Sequence, residues 1–246
     1  MIQLPPLSIT RDERQEVLLL QKARAWLEEG DRLREPGIHA SDLLDPRLAY
    51  WQWADPKPLS ERKVWLFLIG RVLHGFVVQA MDPEQEKTAT DSGAHEELGI
   101  LYSPDIMRSG RPIELKTSRI YEVPPDEVLQ EEWRIYFEQL STYLILTNRL
   151  TGYLWVLLIN LREEGTRRTF PEPRCYRVEL TRAQFHQIED VVVRTRDLLI
   201  QAKAERDHRS LPLCRSWLCG PQQCVFWNAC RPEGRWPQED KRRWTA

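Results

Sequence analysis

One stretch limits the folds open to this chain more than any other: Gly99-Ile-Leu-Tyr-Ser-Pro-Asp105-Ile-Met-Arg-Ser-Gly-Arg-Pro-Ile-Glu114-Leu-Lys116-Thr-Ser. Ser109-Gly110 fits a two-residue hairpin turn, because glycine accepts the positive φ that such turns demand. With those two as the turn, Arg108 pairs with Arg111, Met107 with Pro112, Ile106 with Ile113 and Asp105 with Glu114. Directly opposed Cβ atoms lie roughly 4.5–5.5 Å apart. Side chains alternate faces along a strand, so Lys116 points the same way as Glu114. Ile113 and Leu115 then face the other side, toward a core. Pro112 fits this register, since its partner does not need the missing N–H.

The predicted ribbon therefore gathers two carboxylates and an ammonium in one patch. Like charges directly opposite are destabilising, and a divalent cation between them reverses that sign. Oxygen ligands in an open site suit Mg²⁺ or Mn²⁺. Such an ion lowers the pKa of bound water and shields a leaving group, and a nearby lysine positions the attacking water. On these residues alone, a surface hairpin closed by a salt bridge stays open as the alternative.

Hydrophobic residues make up 41% of the 246 and charged residues 29%, the balance of a soluble globular chain. No apolar run approaches the roughly 18 residues of a bilayer span, so no membrane partner is expected. A net charge of −2 excludes a uniformly positive surface but leaves room for a local basic groove. Arg108, Arg111 and Arg119 are the candidates for phosphate contact near the ribbon. The opening Met1-Ile-Gln-Leu-Pro-Pro has no basic stretch followed by an apolar one, so a cytoplasmic location with reduced thiols is expected.

Helical spacing predicts helices over Thr10 to Glu29, over Asp42 to Trp53 behind a Ser41 cap, and over Glu61 to Met81 with His74 late in it. Lys87 to Thr90, Leu98 to Met107 and Pro112 to Ser118 read as strands. A helix runs from after Pro124-Pro125 to about Asn148, with an apolar face of Trp133, Tyr136, Phe137, Leu140, Tyr143 and Leu144. Gly152 to Leu161 and Arg174 to Leu180 are further strands, and Thr181 caps a helix from Arg182 to about Arg206. The order describes a mixed α/β core.

Four of the five cysteines, Cys214, Cys219, Cys224 and Cys230, crowd one segment near the C-terminus. In a reducing compartment such a cluster points to metal or iron–sulfur ligation rather than disulfides. Four thiolates close a tetrahedral zinc site or hold a 4Fe–4S cluster. Structural zinc usually shows two close pairs with a longer gap, and the nearly even spacing here leans toward the cluster. Cys175 reads as a small hydrophobe.

The pattern Pro104-Asp105…Glu114-Leu-Lys116 resembles the PD-(D/E)XK nuclease superfamily. His74 upstream and Gln139-Leu-Ser-Thr-Tyr143 downstream narrow the likeness to its RecB-like branch, and with the cysteine tail the chain is most similar to the CRISPR-associated "Cas-four" exonucleases and their phage-borne relatives. The resemblance spans roughly residues 38 to 232. It implies an α/β, restriction-endonuclease-like core, a mixed central sheet flanked by helices, followed by a cysteine-rich cluster-binding segment. The implied division is a helical extension over 1–37, a nuclease core over 38–210 and an iron–sulfur tail over 211–246.

By the same resemblance, His74, Asp105, Glu114 and the Leu115 carbonyl would ligate Mg²⁺ or Mn²⁺, and Lys116 would be the catalytic lysine. Gln139 and Tyr143 would brace the site or touch the DNA backbone. His95, Glu96 and Glu97 read as a solvated loop, and Ser118 as either a phosphate contact or a strand end. The implied activity is metal-dependent hydrolysis of single-stranded DNA or DNA ends, with a 5′-to-3′ direction that the sequence itself does not show. Partners of that class are a CRISPR integrase complex, for which the chain would trim DNA, or phage recombination proteins. A non-catalytic DNA-end-binding protein with structural zinc is the rival. One departure stands out: where the family carries Cys-Pro-Arg, this chain reads Asp45-Pro46-Arg47. Either Asp45 or Cys214 would complete a four-ligand cluster with Cys219, Cys224 and Cys230.

Overall fold

The computed structural model describes residues 17, 21–27, 35–81, 92–162, 169–213, 219–221 and 224–230. The strand expected at Lys87–Thr90, most of the helix expected over Thr10–Glu29, and Cys214 lie outside the described residues. The chain divides into two compact units, one formed by Met1–Pro36 with Pro58–Leu73 and the other by Gly37–Lys57 with His74–Ala246.

In the first unit, helix α1 (residues 21–27) buries Ala23 and Leu27 with Val64, and Leu59, Trp65 and Leu68 pack around them. Arg24 donates to the Leu59 carbonyl at 3.3 Å, and the Arg71 guanidinium lies 4.6 Å from the Trp26 ring centre.

The second unit holds two sheets. Strands β1 (Ile38–His39), β2 (Gly93–His95) and β3 (Ile100–Tyr102) form a small one in the order β1-β3-β2. Strands β4 (Ile106–Arg108), β5 (Arg111–Ser118), β6 (Thr151–Arg162) and β7 (Thr169–Glu179) form the larger in the order β4-β5-β6-β7. The β5–β6 pairing is parallel and its neighbours are antiparallel, so the sheet is mixed. The single strand expected over Leu98–Met107 is instead two strands in two sheets. Pro104 sits in the break, where it cannot donate to a ladder.

The helices are α2 (Ala40–Leu44), α3 (Pro46–Ala54), α4 (Glu61–Met81), α5 (Asp126–Glu132), α6 (Arg134–Leu146), α7 (Arg182–Glu205) and α8 (Trp227–Cys230). The helix expected over Asp42–Trp53 breaks at Asp45, whose φ of −133° and ψ of 67° are not helical. A residue before proline is pushed out of the α region, and Pro46 then opens α3 with its fixed φ. His39, not Ser41, precedes the first helical residue, and its N–H donates to Asp42 Oδ2 at 2.9 Å. Thr181 caps α7 as expected, its hydroxyl accepting from the Gln184 N–H at 3.2 Å.

Two elements set the frame for the site. Along β6, Leu154, Val156 and Leu158 are all but fully buried while the alternate positions are half-exposed. Residues Thr142 to Leu146 of α6 are buried without a break. At about 100° per residue they cover the whole circumference, so this half of α6 is enclosed rather than laid on a surface. Sequence periodicity suggests only one apolar face there. Close approach of α6 to the sheet depends on Gly152: a Cβ there would meet the Pro112 carbonyl oxygen at 2.8 Å and the Leu140 and Leu144 methyls at 3.1 Å.

Candidate active site

The β4–β5 ribbon has the register expected from its sequence: Arg108 pairs with Arg111, Met107 with Pro112 and Ile106 with Ile113. Ser109 and Gly110 have φ of 50° and 70°, and positive φ at both central positions is what a type I′ turn requires. β4 begins at Ile106, so Asp105 is a loop residue whose side chain does the work of the next ladder rung. Its Oδ2 accepts the Leu115 N–H at 2.7 Å. In an antiparallel ladder a residue's N–H and C=O point to the same neighbour, so the Leu115 carbonyl opens on the edge where Asp105 sits.

Glu114 and Lys116 project from the same face of β5 as their β6 partners Leu154 and Val156 do from theirs. That face is covered by Leu129, Trp133 and Leu140 of α5, the α5–α6 junction and α6. Glu114 is consequently 0% exposed. Its Oε1 accepts from Lys116 Nζ, and its Oε2 is buried with no hydrogen-bond partner. Burial pushes the Glu114 carboxyl up to about 8; Lys116 opposes that rise and Asp105 adds to it. Burial acts to lower the Lys116 ammonium, but Glu114 and Asp105 outweigh it, so its proton is held more tightly than usual. The same ammonium lies 5.9 Å from the centre of the Tyr136 ring, a contact that the sequence reading missed although Tyr136 stands one helical turn before Gln139.

His74, from α4, brings Nε2 to 3.0 Å from Asp105 Oδ2. The approach lacks hydrogen-bond geometry, and Nε2 is otherwise buried without a partner. Neighbouring ligands of an octahedral ion with bonds of about 2.1 Å stand about 3 Å apart. The His74–Asp105 separation and the orphaned Glu114 oxygen fit a small divalent cation. Among the described residues no three His, Cys, Asp or Glu side chains converge as a finished cage, because Glu114 is turned to Lys116.

Gln139 and Tyr143 share a face of α6, and Gln139 Nε2 donates to the Tyr143 hydroxyl at 3.3 Å. That hydroxyl donates to the Ser103 carbonyl at 3.0 Å. Ser103 precedes Asp105 by two residues, so this pair ties the loop carrying Asp105 to the enclosed helix. Tyr143 is 5% exposed, which is the setting of a brace.

No family model matches the chain, and no curated protein matches it in sequence. Solved structures do. The crystal structure of SSO0001 is similar over 86% of this chain and 93% of that one, with 18% identity and a TM-score of 0.52. The chain shares its fold. LHK-Exo in complex with dAMP is a looser likeness, covering 69% of this chain and 91% of that one at 17% identity and a TM-score of 0.31.

Away from the ribbon, the expected cluster residues lie partly outside the described residues. Cys219 is buried, and Cys224 and Cys230 are half-buried around the short helix α8. Among the described residues these thiols do not gather as a metal-holding group, and Cys214 lies outside them. The structure nevertheless joins the Asp45-Pro46-Arg47 segment to the tail. The Arg47 guanidinium, 8% exposed, donates through Nε to the Leu211 carbonyl at 3.1 Å and through Nη2 to the Arg209 carbonyl at 3.2 Å. Its Nη1 lies 4.0 Å from Cys230 Sγ. Cys175 is not core: it lies mid-strand in β7 opposite Trp155 and is exposed, on a face of an edge strand whose alternate residues are exposed with it. His95 accepts the Leu98 N–H at 3.4 Å, with Glu96 and Glu97 exposed beside it, a turn rather than a ligand group. Ser118 is buried and Arg119 exposed. Among the described residues no helix is long and apolar enough to cross a membrane.

Proposed function

We propose that this chain is a metal-dependent deoxyribonuclease acting on single-stranded DNA or DNA ends. The observation that carries the reading is the joining of His74, Asp105, Glu114 and Lys116 at one edge of the β4–β5 ribbon. His74 Nε2 stands 3.0 Å from Asp105 Oδ2, and Lys116 is bonded to a wholly buried Glu114. A structural salt bridge needs neither the histidine nor a carboxylate oxygen left unpaired in the interior, where it costs about 1–3 kcal/mol or more.

In this reading His74, Asp105, Glu114 and the Leu115 carbonyl would hold Mg²⁺ or Mn²⁺. When bound, the ion lowers the pKa of a water and neutralises charge on the phosphate. The chain's own groups do the rest. Lys116 orients the attacking water and offsets charge developing on the phosphoryl oxygens. With the ion bound, Glu114 would serve as an anionic ligand, its proton released to solvent. Gln139 and Tyr143 fix the loop from which Asp105 reaches the same point. A 4Fe–4S tail, with zinc as the alternative, is proposed on the cysteine spacing; visible charge-transfer absorption in anaerobically prepared protein tests it.

The deciding assay is degradation of end-labelled single- and double-stranded DNA in Mg²⁺, Mn²⁺ or EDTA, comparing wild type with Glu114→Ala and Lys116→Ala. Hydrolysis is expected with metal, none in EDTA, and a loss of about 100-fold or more in either variant, as when a group that stabilises transition-state charge is removed. Thermal melting of each variant separates lost chemistry from lost folding. Full activity in a folded Glu114→Ala protein overturns the site.

A further inference from the structure

The turn of the β4–β5 ribbon carries a second concentration of charge. Arg108 and Arg111 close the turn as direct cross-strand partners, and both are exposed. Like charges in that position are destabilising. A third arginine comes from elsewhere in the chain. Arg149 follows Asn148, whose φ of 51° turns the backbone sharply after α6. Its guanidinium lies over Gly110, with Nη2 3.1 Å from where a Cβ would stand. The missing side chain at Gly110 is what leaves that space open.

Among the described residues none of these three arginines has a carboxylate within ion-pair reach. Arginines elsewhere in the same sheet, on β6 and β7, do. Arg162 meets Glu122 at 3.7 Å, Arg177 meets Glu179 at 3.0 Å, and Arg174 is paired with Glu172. The arginines of β6 and β7 are thus neutralised, while three without a carboxylate partner among the described residues meet at the β4–β5 turn. A cluster of that kind lowers its own repulsion by taking up closely spaced anions, and guanidinium forks match phosphate oxygens in geometry.

We infer that Arg108, Arg111 and Arg149 form a phosphate-binding subsite that grips the backbone of a nucleic-acid strand outside the catalytic edge. The inference rests on the nuclease reading for its choice of ligand. Arg111 is three residues from Glu114 along β5, roughly 10 Å at about 3.3 Å per residue. At about 3.4 Å per nucleotide of stacked strand, that is about three phosphates from the reacting bond. Strand alternation sends Arg108 and Arg111 to the face opposite Glu114. The gripped strand therefore passes round the tip of the ribbon, and the subsite acts on binding and retention of a strand, not on the chemistry.

The test is binding of a labelled single-stranded oligonucleotide of about 20 residues to the full chain in EDTA, where hydrolysis does not interfere, across about 25–200 mM salt. The triple variant R108Q/R111Q/R149Q is compared with R162Q/R174Q/R177Q, which removes the same charge from the paired arginines of β6 and β7. Each phosphate contact on a single strand contributes about 0.7 to the slope of log affinity against log salt. The first variant is expected to lose about 2 from that slope and to bind about tenfold to a hundredfold more weakly near 0.1 M salt. The second is expected to keep the wild-type slope. Melting curves confirm that both are folded, and a triple lysine variant is expected to recover most of the slope. An unchanged slope in the first variant, or an equal loss in both, overturns the subsite. A slope difference in a protein that shows no metal-dependent hydrolysis supports the subsite while removing the nuclease reading, so the two fail separately.

Discussion

Glu114 gives the sharpest physical test, because a carboxyl with no solvent exposure must choose between a proton and a cation. Burial holds it at about 8, against 4.5 for an ordinary glutamate. Between those two pH values the folded chain keeps a proton that the unfolded chain has released. Where the native state binds more protons, unfolding free energy falls as pH rises. The stabilisation associated with this proton is therefore complete below about 4.5 and gone above about 8. At about 1.4 kcal/mol per tenfold change in proton affinity, the span corresponds to about 5 kcal/mol. The assay is urea unfolding in EDTA at several pH values across that window, for wild type and Glu114→Gln. The variant cannot titrate at this position, so the difference between the two curves reports Glu114 together with Lys116 and Asp105, whose charges act on it. Wild type is expected to lose stability relative to the variant as pH rises. Added Mg²⁺ or Mn²⁺ is expected to oppose that loss in wild type alone, with apparent affinity rising toward pH 8 because the cation must displace the proton. Parallel stability curves for the two proteins would refute the argument.

Two further perturbations probe the supports of the site. Tyr143→Phe removes the hydroxyl that donates to the Ser103 carbonyl and accepts from Gln139; a stability loss of about 1–2 kcal/mol is expected by urea unfolding, with weaker DNA cleavage because the Asp105 loop is freed. An unchanged unfolding midpoint would show that the brace contributes nothing. Arg47→Met strips the donors from the Leu211 and Arg209 carbonyls and is expected to cost about 2–4 kcal/mol, since bonds from a charged donor are the stronger kind. Limited proteolysis is expected to cut the segment after α7 sooner in that variant, and wild-type resistance there would refute this role of Arg47.

The small sheet and the paired helices show where local reading fails. Leu98 to Met107 has the composition of one strand, yet Pro104 ends one ladder, and the two halves go to different sheets. Residues Asp42 to Trp53 have one helical pattern, yet Pro46 resets it. Both breaks were written in the sequence as single prolines, but whether a proline kinks an element or divides it depends on which partners lie beyond. For the site, the sequence placed Asp105, Glu114 and Lys116 on one patch and His74 in a helix upstream. It could not show that Tyr143 reaches Ser103 or that Tyr136 lies by the lysine, since those contacts join residues that no turn or period links.

The ribbon register was determined by sequence alone, because a Ser-Gly turn with two positive φ values admits one pairing, and alternation then assigns every face. The Thr181 cap and the span of α4 were equally local. Tertiary structure alone decided that Glu114 is sealed from water: β6 and α6, which enclose it, arise some 20 to 45 residues later in the chain. Solvation depends on everything within several ångströms, whatever its distance in sequence. The identity of the charges was therefore legible from the start, but whether they stay charged was settled only when distant segments closed over them.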